Sequence, residues 1–294
     1  MWPPGGGLGA IPGWDLPRGS SAPDPNRMKI AGSLCVISGA SSGIGKATAL
    51  ELAARGARVV LVARRAQVLA EIADQIRAQG GQAWAFAADL SRPQEAARLG
   101  GWVLDQMGPP DVLVHSAGAG EWRFLDETPL EDLQRLMDTP YFSAAYLTRV
   151  FLPAMLERNR GFILSVCSPA SRLVWPGATG YVAARWALHG LTEALRADLY
   201  HSRLRVCAFF PGKISDSEYF VRHSDTEGRI PRIGRFIPSI TARQAALGIV
   251  RAIELEARVM FVPWQLYAFD RLAHWFPRIA EHLAWSSGAR RTRL

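Results

Sequence analysis

Ser168, Tyr181 and Arg185 have the types and spacing needed to move a proton. Tyr181 and Arg185 stand four apart, so on a helix they share one face. A free phenol titrates near pH ~10. A cation one helical turn away favours the phenolate, which suits the pair to general acid and base work. Ser168 follows the apolar run Gly161–Cys167, which reads as a strand, and a helix opens near Tyr181.

A second group of residues is suited to an anion. Gly39, Gly43 and Gly45 follow the apolar run Leu34–Ile37, and helix formers from Ala47 to Ala54 come next. The order is buried strand, glycine-rich turn, helix. A turn without Cβ atoms lets a ligand approach the backbone, and the helix N-terminus offers it free N–H groups and a positive dipole end. A pyrophosphate is the natural occupant. Ser41, Ser42 and Ile44 belong to the same turn and complete the candidate contacts. The next strand, Arg58–Ala63, ends without a carboxylate and runs into Arg64 and Arg65. An acid in this region would bind ribose hydroxyls, whereas a guanidinium matches a phosphate. The expected nucleotide is therefore NADP(H), with Arg64 at the 2′-phosphate and Arg65 as a second candidate.

Further apolar runs supply the frame. Ala83–Ala88, Asp111–His115, Leu204–Phe210 and Arg258–Val262 read as strands. Helices are expected over Val68–Gln79, from Pro93, over Leu130–Met155 with a break at Asp138-Thr-Pro140, and over Thr241–Glu256 with Thr241 as its cap. Strands alternating with helices point to α/β architecture.

The motif Gly39-x3-Gly43-x-Gly45, then Ser168, then Tyr181-x3-Arg185 resembles the short-chain dehydrogenase/reductase family over residues near 30 to 262. That resemblance implies a single doubly wound, Rossmann-type domain with a parallel sheet of seven strands. It also implies roles. Tyr181 would be the general acid or base, and Ser168 would hold the substrate oxygen and stabilise developing charge. Arg185 stands where the family has lysine; it keeps the charge but cannot lose a proton. Asp89, with Leu90 beside it, would contact the adenine. Ala117 and Gly118 keep the second half of the family's Asn-Asn-Ala-Gly and would let the cofactor pass close by. Pro211 and Gly212 would sit beside the nicotinamide, with Ser215 or Ser217 replacing a family threonine and Asp216 near the carboxamide. Pro140 occupies the place of a family asparagine, at a kink whose carbonyl holds a proton-relay water. His115 reads as a hydrogen-bonded strand-end residue. The implied activity is NADP(H)-dependent interconversion of a ketone and a secondary alcohol, on a hydrophobic substrate, in a homodimer or homotetramer. The rival reading is a non-catalytic scaffold or sensor that binds the dinucleotide.

The chain has 294 residues and a net charge of +8, and only Lys29, Lys46 and Lys213 among its 34 basic residues are lysines. The arginines are scattered, so no nucleic-acid footprint is expected. Cys35, Cys167 and Cys207 lie in apolar runs read as strands, without metal-ligand spacing. They suit buried thiols in a reducing, cytoplasmic setting, and no metal is expected. Residues 1–27, rich in proline and glycine, read as a disordered extension, with Met28 a candidate natural start. Glu218–Ser239 reads as a substrate lid. Residues 263–294 mix tryptophans and leucines with arginines and read as an amphipathic helix broken at Pro277. Packing on the domain is its first reading and contact with a membrane surface its second.

Overall fold

The computed structural model describes residues 28–118, 120–217 and 228–291. The extension before Met28 and the first ten residues of the candidate lid lie outside these. Leu34–Ser38 forms β1, every residue of it buried, as a strand covered on both faces should be. The chain then turns at Gly39 into α1, Gly43–Ala53. The pattern repeats through β2 (Arg58–Ala63), α2 (Ala66–Ala78), β3 (Gln82–Ala87), α3 (Pro93–Met107) and β4 (Val112–His115). A helical run follows: α4 (Leu130–Met137), one π-helical turn (Asp138–Phe142) and α5 (Ser143–Glu157). Then come β5 (Gly161–Val166), α6 (Thr179–Asp198) and β6 (Leu204–Pro211), and after them α7 (Ala242–Leu255) and β7 (Val259–Val262). Thr241 caps α7 by accepting from the Gln244 N–H, and Gln244 reaches back in a capping box.

The seven strands form one parallel sheet in the order β3-β2-β1-β4-β5-β6-β7. One face is packed by Ile37, Leu61, Phe209 and their neighbours against Leu52, Ile72 and Ile249. On the other, Val36, Leu113 and Ile163 meet Leu99, Phe151 and Leu195. The succession runs outward from β1 to β3, then returns to β4 on the other side of β1. Ligands of such sheets bind in the crevice at that reversal, beyond the carboxyl ends of the strands.

The interruption expected at Asp138-Thr-Pro140 is the π-helical turn, with Pro140 buried inside it. Proline has no N–H to donate, so the ladder widens by one residue to pass it. Cys35 and Cys207 lie in strands. Cys167 lies one residue beyond β5, yet its N–H still donates to the Phe209 carbonyl at 2.8 Å. All three thiols are free and buried, and burial pushes Cys35 and Cys167 up to about 12.

After β7 the tail folds as two helices, α8 (Trp264–Trp275) and α9 (Pro277–Ser287), parted at the expected proline. It is clamped to the segment between β5 and α6. Asp270, on α8, accepts two hydrogen bonds from the Arg172 guanidinium, at 2.6 and 3.1 Å. Trp285, on α9, donates to the Val174 carbonyl at 3.1 Å.

Candidate active site

A cleft of about 1500 Å3 opens over the carboxyl ends of the strands, and the glycine turn, Arg64, Asp89, Ala117, Ser168, Tyr181 and Arg185 all line it. The close approach of the backbone just beyond the ends of the neighbouring strands β1 and β4 explains the first glycine. Gly39 has φ +67, and a Cβ there would lie 2.8 Å from the Ala117 N–H nitrogen. Gly45 is needed for contact inside the turn, since its Cβ would lie 2.4 Å from the Gly39 carbonyl oxygen. Gly43, by contrast, faces space: the nearest atom to a Cβ there is Ser217 Oγ at 4.0 Å. Ser42 caps α1 without a side-chain hydrogen bond. The first-turn N–H groups of α1 therefore meet a cleft with room for a phosphate, and the residues present fit a dinucleotide.

Ser38, which motif spacing did not single out, fixes the opposite wall. Its Oγ accepts from the N–H groups of Ser116 and Ala117, at 3.1 and 3.2 Å. His115 is a strand-end residue, as expected. It is buried, and its Nε2 lies 2.8 Å from Thr148 Oγ1. Burial lowers it to about 4, so the ring is neutral near pH 7.

The two arginines after β2 have different surroundings. Arg64 is exposed on the cleft wall. Arg65 precedes α2 and donates to Ser41, reaching its carbonyl at 2.9 Å and its Oγ at 3.0 Å. It thereby braces the glycine turn from outside. Asp89 is engaged locally: its Oδ1 accepts from the Ser91 N–H at 3.1 Å and the Ser91 hydroxyl at 2.7 Å. Burial works to raise its pKa, but these bonds together with Arg64 and Arg92 hold it below the ordinary value. Leu90 is buried beside it. Asp216 has an occupation that the sequence did not suggest, because its carboxylate accepts from the Ala242 N–H at 2.7 Å, at the start of α7. Ser215 is bound to the Ile240 carbonyl. Pro211 and Gly212 line the cleft at the end of β6.

The catalytic candidates converge. Ser168 lies just beyond β5, and its Oγ accepts from the Ala170 N–H at 3.2 Å. Tyr181, in the first turn of α6, donates its hydroxyl to the same Oγ at 3.3 Å. One turn on, Arg185 is buried. Its guanidinium carbon lies 5.1 Å from the centre of the Tyr181 ring, a cation–π distance, and its Nη1 donates to the Val166 carbonyl at 3.1 Å. The guanidinium lies directly over Gly118, where a Cβ would come within 2.4 Å of Nη2. A glycine at 118 is what gives this broad, planar cation its place. Trp122 packs on Tyr181 with ring centres 5.5 Å apart, and Trp175 on Trp122 at 5.3 Å. Neither tryptophan carried a motif that could have flagged it.

A family model described as short chain dehydrogenase matches residues 33–227. The chain belongs to the short-chain dehydrogenase/reductase family. Among similar proteins, a short chain dehydrogenase of Pseudocercospora fijiensis is 33% identical over 196 residues, which is 66% of this chain and 63% of that one. An uncharacterised oxidoreductase of Mycobacterium bovis is 36% identical over 181 residues, 60% of this chain and 53% of its own length. The chain thus spans less than two thirds of the first curated relatives it matches. The 7alpha-hydroxysteroid dehydrogenase of Escherichia coli is 31% identical over 189 residues, covering 64% of this chain and 74% of that enzyme. Of solved structures, a metagenomic short-chain oxidoreductase in complex with NADP superposes with a TM-score of 0.67 at 28% identity, over 80% of this chain and 97% of the other.

Proposed function

We propose that this protein is an NADP(H)-dependent oxidoreductase that interconverts a ketone and a secondary alcohol on a hydrophobic substrate. The observation that carries the reading is the convergence of Tyr181 and Ser168 hydroxyls, 3.3 Å apart, under the Arg185 guanidinium on the wall of a cleft that also holds the glycine turn. When bound, the dinucleotide supplies the hydride. The chain's own residues do the rest. Ser168 donates to the carbonyl oxygen and stabilises the charge that grows there. Tyr181 gives that oxygen its proton, and in the reverse direction removes it. Arg185 stabilises the phenolate left behind.

The preference for the phosphorylated nucleotide is supported by Arg64 on the cleft wall and by Ala63 where an acid would otherwise meet the ribose. Gly39, Ser41, Ser42, Gly43, Ile44 and Gly45 would carry the pyrophosphate side. Asp89 and Leu90 would meet the adenine, and Ala117, Gly118, Pro211 and Gly212 the nicotinamide side. Arg65 would act through Ser41. The hydrophobic substrate is supported by the rest of the lining, with Trp122, Leu173, Trp175, Ile230 and Phe261 on the walls, and by the likeness to a hydroxysteroid dehydrogenase. A homodimer or homotetramer in a reducing, cytoplasmic setting completes the reading, by family likeness and by the three buried thiols.

The test is NADPH binding, followed by turnover on a panel of lipophilic ketones. NADPH binding tighter than NADH binding, with ketone-dependent oxidation of NADPH, is expected. Binding without turnover, unrestored by Arg185→Lys, would favour the scaffold or sensor.

A further inference from the structure

The tail helices bury one side and leave the other open. Leu266, Asp270, Ala280 and Ala284 face the domain and are buried. Trp264, Leu272, Trp275, Phe276, Ile279 and Leu283 are exposed, Trp275 at 71% and Ile279 at 59%. Trp264, Leu272 and Trp275 lie on α8, Ile279 and Leu283 on α9 and Phe276 at the break between them, so both helices contribute to an exposed apolar ridge. A ridge of this kind on a folded surface calls for a partner.

Its charged neighbours say which. The exposed ionisable residues of these helices are Arg271, His274, Arg278 and His282. Of their two acids, Asp270 is buried, held by Arg172 and 3.5 Å from Arg271, and Glu281 is half-buried on the cleft wall. This leaves Arg278 the exposed arginine of these helices without an acid beside it among the described residues. Tryptophan and phenylalanine beside cations fit the boundary between lipid headgroups and acyl chains. Each cation near an anionic bilayer adds attraction. A second copy of the chain fits less well, because a two-fold contact would bring together two copies of the same basic patch. Among the described residues no helix is long and apolar enough to span a membrane, so the helices would lie on it.

We infer that α8 and α9 dock the protein onto the surface of an anionic bilayer. Phe269, Ala273 and Pro277 of the same helices line the cleft. Docking therefore brings the cleft to the headgroup layer, where a lipophilic substrate partitions; that consequence rests on the proposed activity.

The experiment is co-sedimentation of the full chain with vesicles of phosphatidylcholine alone, or of phosphatidylcholine and phosphatidylglycerol. Binding to the anionic vesicles is expected to exceed binding to the neutral ones and to weaken with salt. Trp275→Glu combined with Ile279→Glu should weaken it by about tenfold or more, and Arg278→Gln by about fivefold. Thermal melting and NADPH binding of the same variants report on folding, since all three side chains are exposed. A native chain that stays in the supernatant, or a double variant that binds undiminished, overturns the inference. So does equal binding to both vesicle types. If the double variant turns a dimer into a monomer and leaves vesicle binding unchanged, the ridge belongs to a second copy. Vesicle binding needs no substrate, so its failure would leave the oxidoreductase reading intact.

Discussion

Replacing Arg185 by methionine keeps a long apolar stem and removes the charge over Tyr181. The guanidinium carbon lies 5.1 Å from the phenol ring centre. A guanidinium at that range favours charge growing on the phenol, and loss of such support to a general acid is expected to cost about a hundredfold in rate. The side chain also supplies one hydrogen bond, to the Val166 carbonyl, and its loss leaves that acceptor unpaired at a cost of about 1 kcal/mol or more in stability. The assay is NADPH oxidation with a lipophilic ketone at saturation, beside urea denaturation of the same preparations. Arg185→Met should lower kcat about a hundredfold while the chain stays folded, less stable by about 1 kcal/mol. Arg185→Lys keeps the charge and should stay within about tenfold of the native enzyme. If the methionine variant turns over like the native chain, the cation has no part in the chemistry. If the lysine variant falls as far as the methionine one, guanidinium shape matters and charge does not.

Two other outcomes follow from the same geometry. Arg64→Ala should weaken NADPH binding by about tenfold or more and leave NADH nearly untouched, because a charge-assisted bond to a phosphate is at stake; titration with both nucleotides reads it directly. His115 is neutral in the fold down to about 4, against an ordinary value of 6.5. Below pH ~6.5 the unfolded chain therefore takes up a proton that the folded one refuses, and stability falls as pH drops through that window. The loss should reach about 2 kcal/mol near pH 5, read from urea midpoints, and His115→Asn should flatten much of the slope.

The fold was legible because each strand is an apolar run bounded by turn residues. Arg58–Ala63 forms β2 with the expected ends, and Thr241 caps α7 as its type and position suggested. The convergence of Ser168, Tyr181 and Arg185 was legible for a related reason. A strand end and a first helical turn meet at the same edge of a parallel sheet, so the spacing carried the geometry. The partners of Asp216 and Arg65 were not legible. Asp216 meets the N-terminus of a helix 26 residues on, and Arg65 turns back to Ser41 across the β1–β2 edge; neither contact has a local sequence mark. The same holds for Arg172 and Asp270, a pair 98 residues apart. Trp122 reaches Tyr181, and Trp175 reaches Trp122, only because the loops after β4 and β5 fold over the same cleft.

The central claim is that Tyr181 transfers the proton while the dinucleotide is bound nearby. Single-turnover reduction of a lipophilic ketone by the preformed NADPH complex measures it, native chain against Tyr181→Phe. The phenylalanine ring keeps the packing on Trp122 and loses only the hydroxyl. Unchanged NADPH affinity with a rate lower by about a thousandfold is the expected result. Reduction by the phenylalanine variant at the native rate would contradict it.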